Sequence, residues 1–417
     1  VNRTASLPPR EPDAGRAGRA AAGSAPGGNP AADRPAEPGA DSGADPGAIR
    51  VMIVDDSLTV RTIFKRMVES DPALAIAGTA SSAERAIAQL AEAPADVVLL
   101  DLEMPGIGGL GALPAILATP GRPQVLVVSS LTVDGAEHTL SALQMGAADT
   151  LQKPRPGGFT EDYRAALLGK IRALGSRAGT ALADPEAPPA PGAAGTTPSF
   201  VRPAPVRRIR RPEVVAIGAS TGGIHALGLM LRRLAPDFDL PLVITQHLPA
   251  SFMPVFARQI EAACGRPADI AAEGLMLTPG RIVIAPGHGH VVIRRKGSGG
   301  LMTRISTEPQ PSGCIPSVDP MLASLAEACE GRALGVILSG MGRDGVLGAA
   351  ALVDAGGTIY AQDADTSAVW GMPGAVSRAG LASLVAAPER IGDAVMAQVG
   401  ATPPARAAAA LPAAALK

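Results

Sequence analysis

Asp55 and Asp56 follow the apolar run IRVMIV (49–54), and Asp101 follows DVVLL (96–100). Three carboxylates gathered at one sheet edge repel one another, and a hard cation with oxygen ligands, Mg²⁺ above all, relieves that repulsion. Ser129 ends the next apolar run, QVLVVS (124–129), Ser130 follows it, and Lys153-Pro154 comes just after ADTLQ. A hydroxyl and an ammonium at the same edge can hold a phosphoryl group seated on one carboxylate. Any one of these aspartates alone reads better as a loop residue or a helix cap. The set is far more specific than its members.

A second set lies further along. VVAIG (214–218) runs into GASTGG (218–223) and then the Ala- and Leu-rich stretch IHALGLMLRRL, which places Ser220 at a strand-to-helix turn. Unpaired N–H groups and the positive end of a helix dipole face an incoming anion there. They can stabilise the oxyanion of an acyl transfer, one such donor being worth ~10²–10³ in rate. Gly218-x-Ser220-x-Gly222 has nucleophile-elbow spacing, but that pattern is short. On this segment alone a phosphate-cradling loop of a nucleotide-binding fold is the better reading, a hydrolase the second and a plain tight turn the third.

A nucleophilic serine needs a base and a group to orient that base. Of the five histidines, His247 directly follows LVITQ, His288 and His290 form a GHGH loop, and His225 lies on the stretch after Ser220. No acidic or Cys partner follows the H-x-H pair at ligand spacing, so metal is a poor reading there. Asp344, in SGMGRDG (339–345), follows the run GVILS (335–339), with Asp319 and Asp363 as competitors for the orienting role. A lone strand-end histidine is more often structural. A Ser, a His and an Asp at three such ends of one sheet turn the preference towards hydrolysis.

The elements that must position these residues are legible as two blocks. The first, 49–174, alternates short β-branched runs with helical stretches such as LTVRTIFKRMVES. The second, 213–399, carries VVAIG, LVIT (242–245), RIVIAP (281–286), GVILS and GTIYA (357–361). Strands that are apolar at nearly every position and alternate with helices predict parallel sheets covered on both faces, with the chemistry in loops at the strands' carboxyl ends. Residues 1–48 and the tail 400–417 are poor in large apolar side chains and are expected to be disordered. The Pro- and Ala-rich stretch 175–212, ending in RRIRR (207–211), reads as a semi-extended linker with a solvated basic end.

Composition narrows the partners. Lys plus Arg total 37 against 38 for Asp plus Glu, a net charge of −1 that supplies no attraction to nucleic acid or an anionic membrane. Three cysteines without a CxxC pair argue against a disulfide framework or a structural zinc, and fit the reducing cytoplasm. No run approaches the length of a membrane span, so insertion is not expected.

The first block resembles the receiver domains of two-component response regulators, on IVDDS (53–57), LLDLEMPG (99–106), VVSSLT (127–132) and GAADTLQKP (146–154). The resemblance implies a flavodoxin-like (βα)5 domain with Asp101 as phosphoacceptor. It implies Mg²⁺ held by Asp55, Asp56, Asp101 and the Glu103 main chain, with Ser129 as switch hydroxyl and Lys153 as phosphate contact. Two departures stand out: Gly108-Gly109 where the family has Met-Asp-Gly, and Thr150 where it has a switch aromatic.

The second block resembles the catalytic domain of the CheB family of chemotaxis protein-glutamate methylesterases. The resemblance rests on AIGASTGG (216–223), ITQHLP (244–249), APG (285–287), PSVD (316–319), ILSGMGRDG (337–345) and the AQD and GMP pair (361–363, 371–373). It implies a doubly wound parallel-sheet α/β hydrolase-type domain without a cofactor. Ser220 becomes the nucleophile, His247 its base and Asp344 the orienter, with the Thr221 and Met341 main-chain N–H groups as oxyanion donors. Cys314-Ile315 stands where the family has His-Arg, a departure that bears on substrate contacts.

The implied partners are methyl-accepting chemotaxis receptors as substrate and the chemotaxis histidine kinase as phosphodonor. Deamidation of receptor glutamines follows as a second activity, and the resting receiver is expected to cover the loops carrying Ser220 and His247. The rivals are a receiver-controlled nucleotide-binding module, which lacks the P-loop lysine, and a catalytically silent receptor-docking adaptor.

Overall fold

The structure is a computed structural model that describes residues 47–129, 133–154, 158–176, 211–297 and 299–400. Most of the expected disordered extension and tail, and nearly all of the linker with its basic run, lie outside the described residues, as does Ser130.

The first block folds as β1 (Ile49–Val54), α1 (Leu58–Glu69), β2 (Leu74–Ala80), α2 (Ala83–Glu92), β3 (Val97–Asp101), α3 (Gly108–Leu117), β4 (Gln124–Ser129), α4 (Val133–Met145), β5 (Asp149–Gln152) and α5 (Glu161–Gly175). The five strands form one parallel sheet in the order β2-β1-β3-β4-β5. Each strand leaves at its carboxyl end into a helix cap or a loop: Ser57 and Ser82 accept from Val60 N and Arg85 N and start α1 and α2. The sheet reverses its winding between β1 and β3, and Asp55, Asp56 and Asp101 sit there.

The second block runs β6 (Val214–Ala219), α6 (Gly223–Leu231), β7 (Leu242–Gln246), α7 (Met253–Cys264), β8 (Ala268–Ile270), β9 (Ile282–Ile284), β10 (His290–Arg295), β11 (Leu301–Ser306) and α8 (Val318–Cys329). It ends with β12 (Ala333–Ile337), α9 (Val346–Asp354), β13 (Thr358–Gln362), α10 (Met372–Arg378), β14 (Leu384–Ala386) and α11 (Pro388–Val399). Seven strands form a parallel sheet ordered β14-β13-β12-β6-β7-β9-β8. Winding reverses between β6 and β12, so the crevice at a doubly wound sheet's switch point opens over the ends of β7, β6 and β12.

β6 is buried at every position, with Val214, Val215 and Ile217 fully inaccessible. At roughly 1.5–3 kcal/mol per large apolar side chain, its core contacts hold the Ser220 turn in place. The apolar runs do not reveal β2, β8, β14 or the antiparallel β10–β11 hairpin. Beyond the buried His290, the hairpin buries alternate positions, Val291 and Ile293 on β10 and Leu301 and Thr303 on β11, and is pinned to α8 by the Ile293 N–H donating to Ser324 Oγ at 2.9 Å. A half-buried pattern of that kind carries no continuous apolar run to find.

Candidate active site and receiver pocket

Ser220 follows β6, His247 follows β7 and Asp344 lies in the loop after β12, so three adjacent strands deliver the three side chains, with the serine in the middle. The turn at Ser220 is tight for identifiable reasons. Gly222 has φ +73°, a backbone that L side chains rarely adopt, and a Cβ on Gly340 would stand 2.8 Å from the Ser220 Cβ. The Ser220 N–H donates to the Ser339 carbonyl at 3.0 Å, while its own carbonyl accepts from Gly223 N at 2.8 Å. Among the described residues, nothing accepts from the main-chain N–H of Thr221 or of Met341.

His247 Nε2 lies 2.8 Å from Asp344 Oδ2. That nitrogen is taken up by the carboxylate, which leaves Nδ1 as the imidazole's remaining basic atom. Asp344 is 2% exposed and also accepts from Ser317 Oγ at 2.6 Å and Val318 N at 2.7 Å, at the N-terminus of α8. Burial by itself raises its carboxyl, but these three hydrogen bonds outweigh burial and hold it below the ordinary carboxylate range. For His247, burial favours the neutral ring, yet the hydrogen bond to Asp344 and the nearby Cys314 prevail and lift it to about 9.

Cys314, His247 and Asp344 have ligand atoms within 4.8 Å of one another. Asp344 already accepts three hydrogen bonds, from His247, Ser317 and Val318, and Cys314 stands beside the pair. Ser317 and Val318 were not singled out in the sequence. The signal was there in PSVD: a Ser at a helix N-cap whose hydroxyl does not cap, but turns to Asp344.

The other candidates have structural partners. Asp319 accepts from Gly348 N and ties α8 to α9, and Asp363 closes its own loop with Thr366. His290 is fully buried, bonded to Glu308 O and Ser317 N, while His288 is exposed.

In the receiver pocket, Asp55, Asp56 and Asp101 bring carboxylate oxygens within 4.8 Å of one another. Lys153 Nζ bridges Asp101 Oδ2 at 2.7 Å and Asp55 Oδ2 at 2.8 Å. Burial raises the Asp101 carboxyl against the opposing pull of Lys153. Hard oxygen donors so placed fit a Mg²⁺ ion. Glu103 N donates to Asp101 Oδ1 at 3.0 Å. Ser129 Oγ pairs with Thr139 Oγ1 on α4 at 2.6 Å.

The receiver seals the crevice. Ala148 O accepts from Gly222 N at 2.5 Å, Asp149 Oδ2 accepts from Thr221 Oγ1 at 2.6 Å, and Gln144 O lies 2.8 Å from His225 Nδ1. Leu143 and Ala147 join Ile224 and Leu248 in one apolar cluster. Ser220, Gln246 and His247 are left facing these receiver residues across a cavity of about 10 Å³, room for one water at most.

Two family models match the chain: "Response regulator receiver domain" over 51–159 and "CheB methylesterase" over 215–395. A protein-glutamate methylesterase/protein-glutamine glutaminase of Paramagnetospirillum magneticum is 42% identical over 356 residues, covering 81% of this chain and 93% of that protein. The chain belongs to the CheB methylesterase family. A second such relative, from Caulobacter vibrioides, is 42% identical over 348 residues, covering 82% of this chain and 97% of that one. Among solved structures, the CheB methylesterase catalytic domain of Thermotoga maritima is 31% identical with a TM-score of 0.43, covering 45% of this chain and 99% of that one. Family membership gives the two blocks their classes, a flavodoxin-like receiver and a CheB-type catalytic domain, and the receiver match implies a Mg²⁺ site. It also removes the nucleotide-cradle reading that GASTGG favoured in isolation. Among the described residues no helix is long and apolar enough to cross a membrane.

Proposed function

We propose that the chain hydrolyses γ-glutamyl methyl esters on chemotaxis receptors, releasing methanol, and deamidates receptor glutamines at the same site. The observation that carries this reading is the His247–Asp344 pair beside Ser220 at the switch point, in a chain alike in both domains to named methylesterase/glutaminases. Ser220 Oγ attacks the γ-carbonyl carbon, His247 takes its proton and returns it to the departing methoxide, and methanol leaves. Water then repeats the cycle on the glutamyl-Ser220 ester, freeing the carboxylate and restoring the serine. The N–H groups of Thr221 and Met341 receive the oxyanion, and Asp344 holds the imidazole while it carries charge.

Regulation follows from the sealed crevice. Asp101 is the proposed phosphoacceptor and Lys153 the phosphate contact. Asp55, Asp56, Asp101 and the Glu103 main chain would hold the Mg²⁺ that neutralises the incoming phosphoryl charge. Ser129 turning from Thr139 to that phosphoryl group breaks a bond that ties β4 to α4, the helix that carries Gln144 to the catalytic domain. Thr150 supplies no aromatic for the task, so α4 itself is the carrier. A chemotaxis histidine kinase is the proposed donor. We assign residues 49–174 to the receiver and 213–399 to the catalytic domain. Methanol release from methylated receptors by the purified chain, with and without acetyl phosphate, tests the reading; no release in either state overturns it.

Two further outcomes are expected. A base must be neutral to accept a proton, so with His247 raised to about 9 basal kcat/KM should climb about tenfold per pH unit below that value. Asp344→Asn removes the carboxylate that favours the imidazolium and should move the inflection to lower pH. A pH–rate profile, blanked against spontaneous ester hydrolysis, checks both; a flat profile across the neutral to mildly alkaline range contradicts them.

The second outcome concerns the seal. Asp149→Ala deletes the acceptor of Thr221 Oγ1. A bond to a charged group is worth about 1.5–3 kcal/mol, so basal activity should rise roughly 10–100-fold while the phosphorylated rate stays put. Methanol release without a phosphodonor measures it.

A further inference from the structure

Gln246 ends β7 immediately before His247 and is 2% exposed. Only half of its amide is used. Nε2 donates to the Ser220 main-chain carbonyl at 3.0 Å, while Oε1, also buried, has no hydrogen-bond partner among the described residues. The orientation is set by chemistry, since the reversed amide would press Oε1 against the Ser220 carbonyl, acceptor on acceptor. Gly223 leaves the room: a Cβ there would stand 3.1 Å from Oε1. Gln246 faces the same small cavity as Ser220 and His247. A buried acceptor left open beside a nucleophile and its base awaits a donor.

The two substrates of the site differ in what they offer it. A γ-glutamyl methyl ester has no N–H on its leaving group, whereas a glutamine γ-amide has two. We propose that Gln246 is a specificity-determining residue, its Oε1 accepting an N–H of the glutamine amide bound at Ser220. The inference rests on the function proposed above. As the Ser220 Oγ–carbon bond forms, the carbon–nitrogen bond breaks and the proton held by His247 passes to the leaving nitrogen. Ammonia departs. Gln246 accepts a hydrogen bond throughout and takes no proton. Ester hydrolysis uses the same Ser220 and His247 without that bond.

The test uses the full chain activated with acetyl phosphate. Its probes are receptor cytoplasmic fragments carrying either glutamine or glutamyl methyl ester at the modified positions. Gln246→Met keeps the length and removes both the acceptor and the Nε2 donor to the Ser220 carbonyl; Gln246→Glu, protonated in that buried position, keeps an acceptor oxygen and an O–H for the same carbonyl. In Gln246→Met the ratio of ammonia-release to methanol-release kcat/KM should fall about tenfold or more, the effect of one hydrogen bond lost from an otherwise equal site. Gln246→Glu should keep the ratio closer to that of the native chain. Both rates falling by one factor in Gln246→Met would show that Gln246 only anchors the Ser220 turn, and the proposal would be wrong. A Glu variant whose ratio matches the Met variant overturns it as well. Methanol release without ammonia release by the native chain overturns it together with the amide half of the function, leaving the ester half standing. Ammonia and methanol both missing from the native chain is instead the failure of the function itself.

Discussion

Replacing Ser220 by alanine is expected to lower methanol release by about 10⁴–10⁶-fold and leave the chain folded. The size follows from the chemistry of the turn. Without Oγ there is no covalent intermediate, and His247, pinned to Asp344 through Nε2, has no proton to take from position 220. What remains is the proposed oxyanion pair, the N–H groups of Thr221 and Met341, which would polarise a carbonyl but supply no nucleophile. Folding should be spared because the turn is held by main-chain bonds, Ser220 N to Ser339 O and Gly223 N to Ser220 O, which alanine keeps. Methanol assayed by gas chromatography, beside an unchanged thermal transition, checks both halves. Activity within tenfold of the native chain would sink the assignment of Ser220.

The second large effect lies in the receiver. Asp101→Asn should leave basal hydrolysis intact and remove the response to acetyl phosphate, so that a stimulation on the order of 5–150-fold falls to none. That range is set by the contacts to be undone. Ala148 O to Gly222 N, Asp149 to Thr221, Gln144 to His225 and a shared apolar patch close the crevice. Net hydrogen bonds are worth only about 0.5–1.5 kcal/mol each, and a switch from 1:99 to 99:1 needs about 5.5 kcal/mol. Partial release is the physical expectation. Methanol release before and after phosphodonor treatment measures it; stimulation that persists in Asp101→Asn moves the phosphorylation site elsewhere.

Much of the architecture was legible because buried parallel strands cannot hide. VVAIG, LVI (242–244) and GVIL (335–338) are apolar throughout since both faces are covered, and each points to a functional residue beyond its end. The short edge strands β8 and β14 and the β10–β11 hairpin were less legible, because half-buried segments alternate and edge segments need only a few residues. In the candidate site, Ser220, His247 and Asp344 each stood out by position. Ser317 and Gln246 did not, since a serine in PSVD and a glutamine inside an apolar run have ordinary explanations until their hydrogen bonds are counted.

Sequence by itself determined the two domain classes, the family to which the chain belongs, and which side chains stand at which strand ends. These depend on local pattern and on periodicity along the chain. Only the tertiary structure decided that Nε2 of His247 faces Asp344, that Ser317 and the start of α8 complete the carboxylate's shell, and that Gln246 holds an unused acceptor beside Ser220. It alone decided as well that Ala148 and Asp149 of the receiver occupy the nucleophile's turn. Each of these joins residues between 26 and more than 90 positions apart. Their hydrogen-bond directions are set by how the sheets and helices pack, which no local pattern encodes.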